Sequence, residues 1–432
     1  EQQGFVIVPF DAPADVYIVN TCTVTAESDR KACQIIRRAA AKERPGGGNP
    51  AVLVTGCMAQ TQPERASGIA GVTYVCGSRN KLSCVDAAIR AVSRDLALAD
   101  SPAVAVHPID SLGMEKMSLI HTGLERTRAY IKIEDGCENR CTYCAIPGAR
   151  GAVVSKPADE ILHEIGVLIE NGYREIVLTG IEIASYGKDL RCTENGASEY
   201  RLIDLLEAVD AKFGHLAVRF RLGSLEPTYM KPTVVQRMAS LKTLAHHFHL
   251  SLQSGADAVL HAMKRKYSMA QVRAILENIR ASMPDVMFTT DIMTGFPGET
   301  EEDFAQTMAF AREAHLLHIH VFPYSRRKNT PADTMAGQLS NAEKNRRANA
   351  LIALQAQIGE ALYRTQGRLL SESGETVLFL AETCRDGIVT GHTDTFMEVR
   401  IAADAPIERE LMRVRIVGAG PSYLIGERIE NE

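Results

Sequence analysis

Short apolar runs alternate with amphipathic stretches over the first hundred residues. The runs are FVIV, DVYIVN, AVLVTG and GVTYV, and the stretch SDRKACQIIRRAAAKER has helical periodicity. Buried parallel strands are nearly continuous hydrophobic runs, whereas surface helices repeat their apolar positions with the period of the helix. The pattern predicts an α/β domain with a Rossmann-like parallel sheet, which we place at residues 1–115.

A second series of strand-like runs follows, separated by amphipathic stretches such as PADEILHEIGVLIENG. Its six runs are AYIKIE, EIVLTG, VRFRLGS, FHLSLQ, MFTTDIM and LHIHVF. Six βα units predict a partial (β/α)6 barrel of the TIM type over residues 125–365, with its active site at the carboxyl ends of the strands. A helical segment at 341–366 closes this domain. The short strands ETVLFLAE, DGIVTGHTD, FMEVRIA and LMRVRIVGAG then predict a small β-barrel at 366–432.

Composition and charge narrow the class of protein. The 432 residues are 45% hydrophobic and 23% charged, enough to bury a large core. The sequence has no apolar run of transmembrane length and no signal-peptide pattern, so we expect a cytoplasmic protein without a membrane partner. Ten cysteines in a reducing compartment favour metal ligation over disulfides. The net charge of -5 gives no global attraction to nucleic acid.

The segment DGCENRCTYCAIP carries the most specific chemistry. Cys137, Cys141 and Cys144 form CxxxCxxC just after the first strand of the predicted barrel. Three thiolates can hold three irons of a 4Fe-4S cluster and leave the fourth iron open. An open iron can chelate the methionine end of S-adenosylmethionine (SAM), and the ring of Tyr143 can pack near its adenine. A zinc site is the alternative, but its fourth ligand would have to come from HHFH at 246–249.

Further blocks accompany this loop: VNTCTVT, VTGCMAQ, EIVLTGIEIASYG, LSLQSGAD, TDIMTGFPGETEEDF and HVFPYSRRKNTPA. Together they make nearly the whole chain resemble the methylthiotransferases of the radical SAM superfamily. The resemblance implies a radical SAM barrel, a C-terminal TRAM domain and a second 4Fe-4S cluster in the N-terminal domain. Cys22 and Cys57 match two ligands of the second cluster, and the third is expected upstream of Glu1. Cys33 and Cys76 are alternatives for it, although Cys33 lies in a helix and fits a packing role.

The resemblance also implies contacts to SAM from the ends of the barrel strands. Glycines allow close approach of the backbone, and polar groups can hold the ribose and amino acid ends of the cofactor. Each residue also has a simpler structural explanation, such as a tight turn or a helix cap. The expected contacts are Gly180, Ser224, Glu226, Gln253, Asp291 and Gly295. Cys84, Cys192 and Cys384 have no partner at ligand spacing and are interpreted as structural.

The family resemblance implies that SAM is used twice, once to methylate a sulfur and once to activate a C–H bond. It also implies an electron donor such as flavodoxin or ferredoxin. Family members modify an adenosine beside the tRNA anticodon, bearing threonylcarbamoyl or isopentenyl, or an aspartate of a ribosomal protein. The blocks TGIEIASYGKDL, HVFPYSRRKNTPA and TGHTDTFMEV are most similar to the threonylcarbamoyladenosine branch. Thr395 and Phe396 stand where the isopentenyl branch usually has asparagine and arginine.

Local charge bears on the tRNA partner in two opposite ways. Residues 366–432 carry seven Lys+Arg and twelve Asp+Glu, a net charge of -5 that matches phosphates poorly and suits a basic ribosomal protein better. Three basic segments are candidate RNA contacts, namely 264–266, 326–328 and the Arg30–Arg44 face. A non-enzymatic iron-sulfur protein that binds RNA remains a further alternative.

Overall fold

The computed structural model describes residues 3–93, 101–113, 127–190, 200–403, 407 and 409–429. The chain divides into two compact units. The first contains Glu1–Ser118, Gly136–Ala152 and Ser325–Asp333, and the second contains Leu119–Asp135, Val153–Tyr324 and Thr334–Glu432. The predicted domain limits at 115 and 125 lie outside the described residues.

The first unit is built on a sheet of four parallel strands that pair in chain order. Helix α1 is specified by its ends: Thr25 caps the amide of Ser28 at 3.0 Å, acids occupy the first turn and arginines the last. The strands are β1 Val16–Thr21, β2 Ala51–Gly56, β3 Val72–Cys76 and β4 Ala103–Ala105. The helices are α1 Ala26–Ala40, α2 Cys57–Thr61, α3 Pro63–Ser67, α4 Ser83–Val92 and α5 Ile146–Arg150.

In this unit one predicted strand is absent and one observed strand was not predicted. The apolar run FVIV is not a strand, and the side chains of Val6 and Ile7 are 83% and 73% exposed. The run is bounded by Gly4 and by Pro9, whose nitrogen cannot donate to a neighbouring strand. The strand β4 was not among the predicted runs, yet Ala103–Ala105 pair with β3.

The second unit contains six parallel strands in sequential order. Two ladders of three strands are joined by the single bridges Phe220–Leu244 and Leu225–Leu250. Among the described residues no ladder joins the first strand to the sixth, so the predicted partial barrel is confirmed. The six strands are β5 Ala129–Lys132, β8 Glu175–Thr179, β9 Arg219–Leu222, β10 His247–Gln253, β11 Met287–Thr294 and β12 His318–Pro323. A two-stranded ribbon is formed by β6 Glu134–Asp135 and β7 Val154–Ser155.

Helices cover the outer face of these strands. Alternate strand residues such as Phe248, Leu250 and Ile292 join one core with the helical side chains, which leaves the intervening residues on the inner face. The helices are α6 Ala158–Glu170, α7 Leu202–Phe213, α8 Pro232–Ala239, α9 Asp257–Ala262, α10 Met269–Ser282, α11 Glu301–Ala314 and α12 Asn341–Ser373. In the described part of the chain, no helix is both long and apolar enough to cross a membrane.

The end of the chain forms a closed barrel of five strands, which pair in the order first, second, third, fifth and fourth. This confirms the predicted small barrel and adds a fifth strand, in the segment YLIGER, that was not predicted. Helix α12 also continues beyond its predicted end and stops at Gly374, which has a positive φ of 68°. The strands are β13 Thr376–Arg385, β14 Ile388–Thr393, β15 Glu398–Ala402, β16 Leu411–Ala419 and β17 Leu424–Arg428.

A buried ion cluster fixes the small barrel to the six-stranded barrel. The carboxylate of Glu175 is 0% exposed and pairs with Arg128, Arg219 and Arg221. Burial disfavours the charged form, but the three guanidinium groups outweigh it and hold the pKa of Glu175 well below its usual range. Arg219 and Arg221 also donate to carbonyl oxygens of the small barrel, including a bond from Arg221 to that of Thr393 at 3.0 Å. The carboxylate of Glu175 therefore stabilises the contact between the two barrels.

We expect Glu175→Gln to lower the free energy of unfolding by about 3–5 kcal/mol, because three buried cations lose their counterion. Glu313→Gln is the matched control, since Glu313 pairs with Arg273 at the surface and such a pair contributes about 1 kcal/mol or less. Urea-induced unfolding of both variants measures the difference. Equal losses in the two variants would contradict the assignment.

Candidate functional site

The three cysteines of CxxxCxxC lie in the first unit, on the loop that precedes α5. All three are partly buried, as is Tyr143 between them. The amide of Asn139 donates to the Cys137 sulfur at 3.4 Å, and the amide of Ile146 donates to the Cys144 sulfur at the same distance. Amide donors directed at sulfur stabilise thiolates, the form that ligates iron. The donor set therefore fits a 4Fe-4S cluster with one open iron.

Glycine and two polar side chains shape this loop. Gly136 has φ +94°, and a Cβ there would lie 2.0 Å from the carbonyl oxygen of Ala152. Ser78 donates to the carbonyl of Ala149 at 2.6 Å, and Arg79 donates to that of Ala152 at 2.7 Å. The loop is thus fixed to residues that follow β3.

Cys22 and Cys57 also lie in the first unit, each directly after a strand. The residue before Cys22 is paired in the ladder with Gly56, so both cysteines leave the same edge of the sheet. Gly56 has φ +99°, and a Cβ there would lie 2.3 Å from the carbonyl of the residue before Cys22. Val24 donates its amide to the Cys22 sulfur at 3.4 Å, and Arg150 donates to the Cys57 sulfur at 3.2 Å. Both sulfurs thus have donors suited to thiolates.

The remaining cysteines have other surroundings. Cys33 is buried 4.0 Å from a methionine sulfur, as expected for a small apolar side chain. Cys76 is buried with its sulfur 3.3 Å from that of Cys84, which makes it poorly placed to supply a cluster ligand. Cys384 is partly buried in β13, and Cys192 lies outside the described residues.

Five of the six expected SAM contacts lie at the carboxyl ends of strands in the second unit. Gly180 follows β8, Ser224 and Glu226 follow β9, and Gln253 ends β10. Gln253 is buried with φ +71°, a conformation that is uncommon for a residue with a side chain. Gly295 follows β11, and its amide donates to a glutamate at 2.6 Å. Parallel strands bring all of these ends to one edge.

Two expected contacts have partners within the second unit. Glu226 pairs with Arg265 at 2.5 Å, and both side chains are buried. Asp291 lies inside β11 and pairs with His249 at 3.3 Å and with His320 at 3.2 Å. Burial raises the pKa of Asp291, but the hydrogen bonds from the two histidines outweigh it, so the pKa lies below its ordinary value.

Two glutamates at the same strand ends were not among the expected contacts. Glu134 accepts hydrogen bonds from the amides of Ile181 at 3.0 Å and Glu182 at 2.8 Å. A Cβ on Gly180 would lie 2.7 Å from the same carboxylate, which explains the glycine. Within the described residues, the buried Oε1 atoms of Glu134 and Glu182 have no hydrogen-bond partner. The available signal was their position, since Glu134 ends the run AYIKIE and Glu182 lies two residues after the run EIVLTG.

Burial controls the charge of these two glutamates. It raises the pKa of Glu134 to about 7. Burial and the neighbouring carboxylate of Glu226 raise the pKa of Glu182 to about 7 as well. Buried carboxylate oxygens without a donor favour a cationic ligand. The ammonium and sulfonium groups of SAM fit this requirement.

The histidines that the zinc alternative needs are engaged elsewhere in the second unit. His246 lies 2.7 Å from a carboxylate oxygen of Asp285, and His247 lies 3.0 Å from the hydroxyl of Thr289. His249 pairs with Asp291. These contacts favour the cluster interpretation of the cysteine loop.

In two of the three predicted basic segments, most of the charged side chains pair with acids. Arg327 is buried and pairs with Asp29 at 2.9 Å, while Arg326 pairs with Asp333 at 2.7 Å. Four side chains of the Arg30–Arg44 face also have acidic partners: Arg30 with Glu27, Arg38 and Lys42 with Asp11, and Arg44 with Asp15. Paired charges attract phosphates less than isolated ones, so these segments are weaker RNA contacts than their sequence indicates.

Two family models match the chain. The radical SAM superfamily model matches residues 131–311, and a model described as uncharacterized protein family UPF0004 matches residues 1–77. A similar solved structure is that of the radical S-adenosylmethionine methyltransferase TsrM from Kitasatospora setae, with cobalamin and a 4Fe-4S cluster bound. The TM-score is 0.54 at 14% identity, covering 75% of this chain and 66% of that chain. This likeness supports the fold alone.

Curated relatives are similar over nearly the whole chain. The threonylcarbamoyladenosine tRNA methylthiotransferase MtaB of Bacillus subtilis strain 168 is 33% identical over 99% of this chain and 91% of its own length. The tRNA-2-methylthio-N(6)-dimethylallyladenosine synthase of Desulfitobacterium hafniense strain Y51 is 32% identical over 99% of this chain and 92% of its own. The chain belongs to the methylthiotransferase family of radical SAM enzymes.

Proposed function

We propose that the protein adds a methylthio group to carbon 2 of N6-threonylcarbamoyladenosine, next to the anticodon of tRNA, in the cytoplasm. Near-full-length similarity to relatives that carry this name supports the proposal. The second candidate is the dimethylallyl (isopentenyl) substrate, because relatives named for it have nearly the same identity. A ribosomal-protein aspartate is a third, more distant alternative.

Two sets of cysteines are proposed to hold two iron-sulfur clusters. Cys137, Cys141 and Cys144 would hold the cluster that binds SAM, and Cys22 and Cys57 would hold a second 4Fe-4S cluster. A flavodoxin or ferredoxin would supply the electron. When bound, the first cluster supplies one-electron cleavage of SAM, which provides a radical able to break an unactivated C–H bond.

The protein's own residues bind and orient the reactants. The carboxylates of Glu134 and Glu182 would hold the cationic groups of SAM. Gly180 and Gly295 would allow its close approach to the backbone. Ser224, Glu226 and Gln253 would add polar contacts. The described strand ends thus position the cofactor and exclude water, while the cofactor performs the chemistry.

The direct test is mass spectrometry of nucleosides from the tRNA of cells lacking the gene, with and without complementation. Loss and recovery of 2-methylthio-threonylcarbamoyladenosine is expected. Loss of the dimethylallyl form instead would assign the second candidate. Unchanged tRNA would direct attention to ribosomal proteins. Absence of SAM cleavage on reduction would leave only the iron-sulfur RNA-binding alternative.

Iron content tests the two ligand sets separately. After anaerobic reconstitution, Cys57→Ser and Cys141→Ser are each expected to lose roughly half of the bound iron, because each removes a thiolate from one of two clusters. Cys33→Ser is the matched control and should retain all of it, since Cys33 is buried beside a methionine. Full iron in Cys57→Ser would contradict the second cluster.

SAM affinity should increase between pH 6 and pH 7.5. The pKa values of Glu134 and Glu182 are both about 7, so raising the pH deprotonates them and increases their attraction for a cation. Glu182→Gln should bind SAM roughly tenfold more weakly at pH 7.5 and show a smaller pH dependence. Calorimetry on the reconstituted enzyme measures this, with the exposed Glu302→Gln as control. An unchanged slope in both Glu182→Gln and Glu134→Gln would contradict the role.

A further inference from the structure

The polar side chains of His249, Asp291 and His320 lie together on the inner face of the second unit's barrel. Residues alternate between the two faces of a strand, and Phe248, Leu250 and Ile292 belong to the outer, helix-covered core. His249 and Asp291 therefore face inward. Asp291 is paired in the ladder with His320 of β12, and its carboxylate lies between the two histidines.

The hydrogen bonds leave one nitrogen of this group available. His249 uses both ring nitrogens, one with Asp291 and the other with the hydroxyl of Thr289 at 2.9 Å. His320 contacts Asp291 through Nδ1 alone, its Nε2 atom has no hydrogen bond to any described residue, and its side chain is 69% exposed. In an imidazolium both nitrogens donate, so His320 can donate to Asp291 and to an anionic ligand together.

The space beside His320 is large enough for a substituent. His320 borders a cavity of about 720 Å³ that Phe396 and His392 also line. The ring of Phe396 stacks on His247 with centroids 4.7 Å apart, at the amino-terminal start of β10. Asp291 lies three residues before the end of β11, or roughly 10 Å along the strand. Phe396 therefore covers the inner face at the amino ends of the strands. His249, Asp291 and His320 lie between this cover and the carboxyl ends, where the expected SAM contacts are.

We propose that His320, positioned by Asp291, recognises the carboxylate of an amino-acid substituent on N6 of the substrate adenosine. This inference rests on the proposed function and names the residue that would recognise the substituent of the substrate. Threonylcarbamoyl carries a carboxylate and a hydroxyl, which match an imidazole held by an acid. A dimethylallyl group would bury the same polar atoms without replacing their hydrogen bonds to water, and such mismatches are strongly disfavoured.

The test measures equilibrium binding to the full chain with reconstituted clusters. The probes are anticodon stem-loops bearing N6-threonylcarbamoyladenosine, its methyl ester or N6-dimethylallyladenosine. The wild type should bind the acid roughly tenfold more tightly than the ester, as expected for one charge-assisted hydrogen bond. In His320→Phe this preference should fall to within about twofold, while SAM binding is retained. Asp291→Asn should also reduce it.

His318→Phe is the matched control. His318 lies on the same strand and the same face two residues earlier and borders the same cavity, but among the described residues it forms no hydrogen bond or ion pair with Asp291. It should keep the preference for the acid. A His320→Phe enzyme that still prefers the acid, or an equal loss in His318→Phe, would overturn the inference while leaving the proposed function intact. A wild type that prefers the dimethylallyl stem-loop would overturn the proposed function itself.

Discussion

The buried carboxylate of Glu175 is the interaction on which the second unit depends. It lies at the start of β8 and neutralises arginines on either side of it, so that the first three strands of the barrel share one counterion. An unpaired charge at this depth would be very unfavourable, which makes the cluster cooperative. Because Arg219 and Arg221 also donate to carbonyls of the small barrel, the position of that barrel follows from the same charge.

The small barrel contributes Phe396 to the inner face of the six-stranded barrel, a role that its net charge does not indicate. Its acidic composition suits phosphates poorly, yet it supplies Phe396, whose ring lies over Arg221 at 4.9 Å and stacks on two histidines. Phe396 has φ +70°, an uncommon conformation that the surrounding contacts hold in place. The barrel thus helps to cover the amino ends of the strands, and this contribution is independent of any contact with RNA.

Strands and motifs that depend on neighbouring residues could be predicted from the sequence. Contacts between residues distant in the sequence could not. The six strands and the cysteine loop were predictable because periodicity and spacing are properties of neighbouring residues. β4 was missed because three residues carry too little pattern. Arg327 was interpreted as a surface charge because its partner Asp29 is distant in sequence. Glu134 and Glu182 were missed because a glutamate at a strand end usually faces water.

Buried acids of two kinds occur in this chain: those that pair with arginines and stabilise the fold, and those with an unsatisfied oxygen that are candidates for ligand binding. Glu175 and Glu299 are buried and matched to arginines, so their charges are satisfied within the fold. Glu134 and Glu182 are comparably buried but have an oxygen without a donor among the described residues. A fold retains such unsatisfied atoms at a cost unless a ligand supplies the missing interaction. Both lie at strand ends beside Gly180, and the cationic groups of the proposed cofactor would supply the missing interaction.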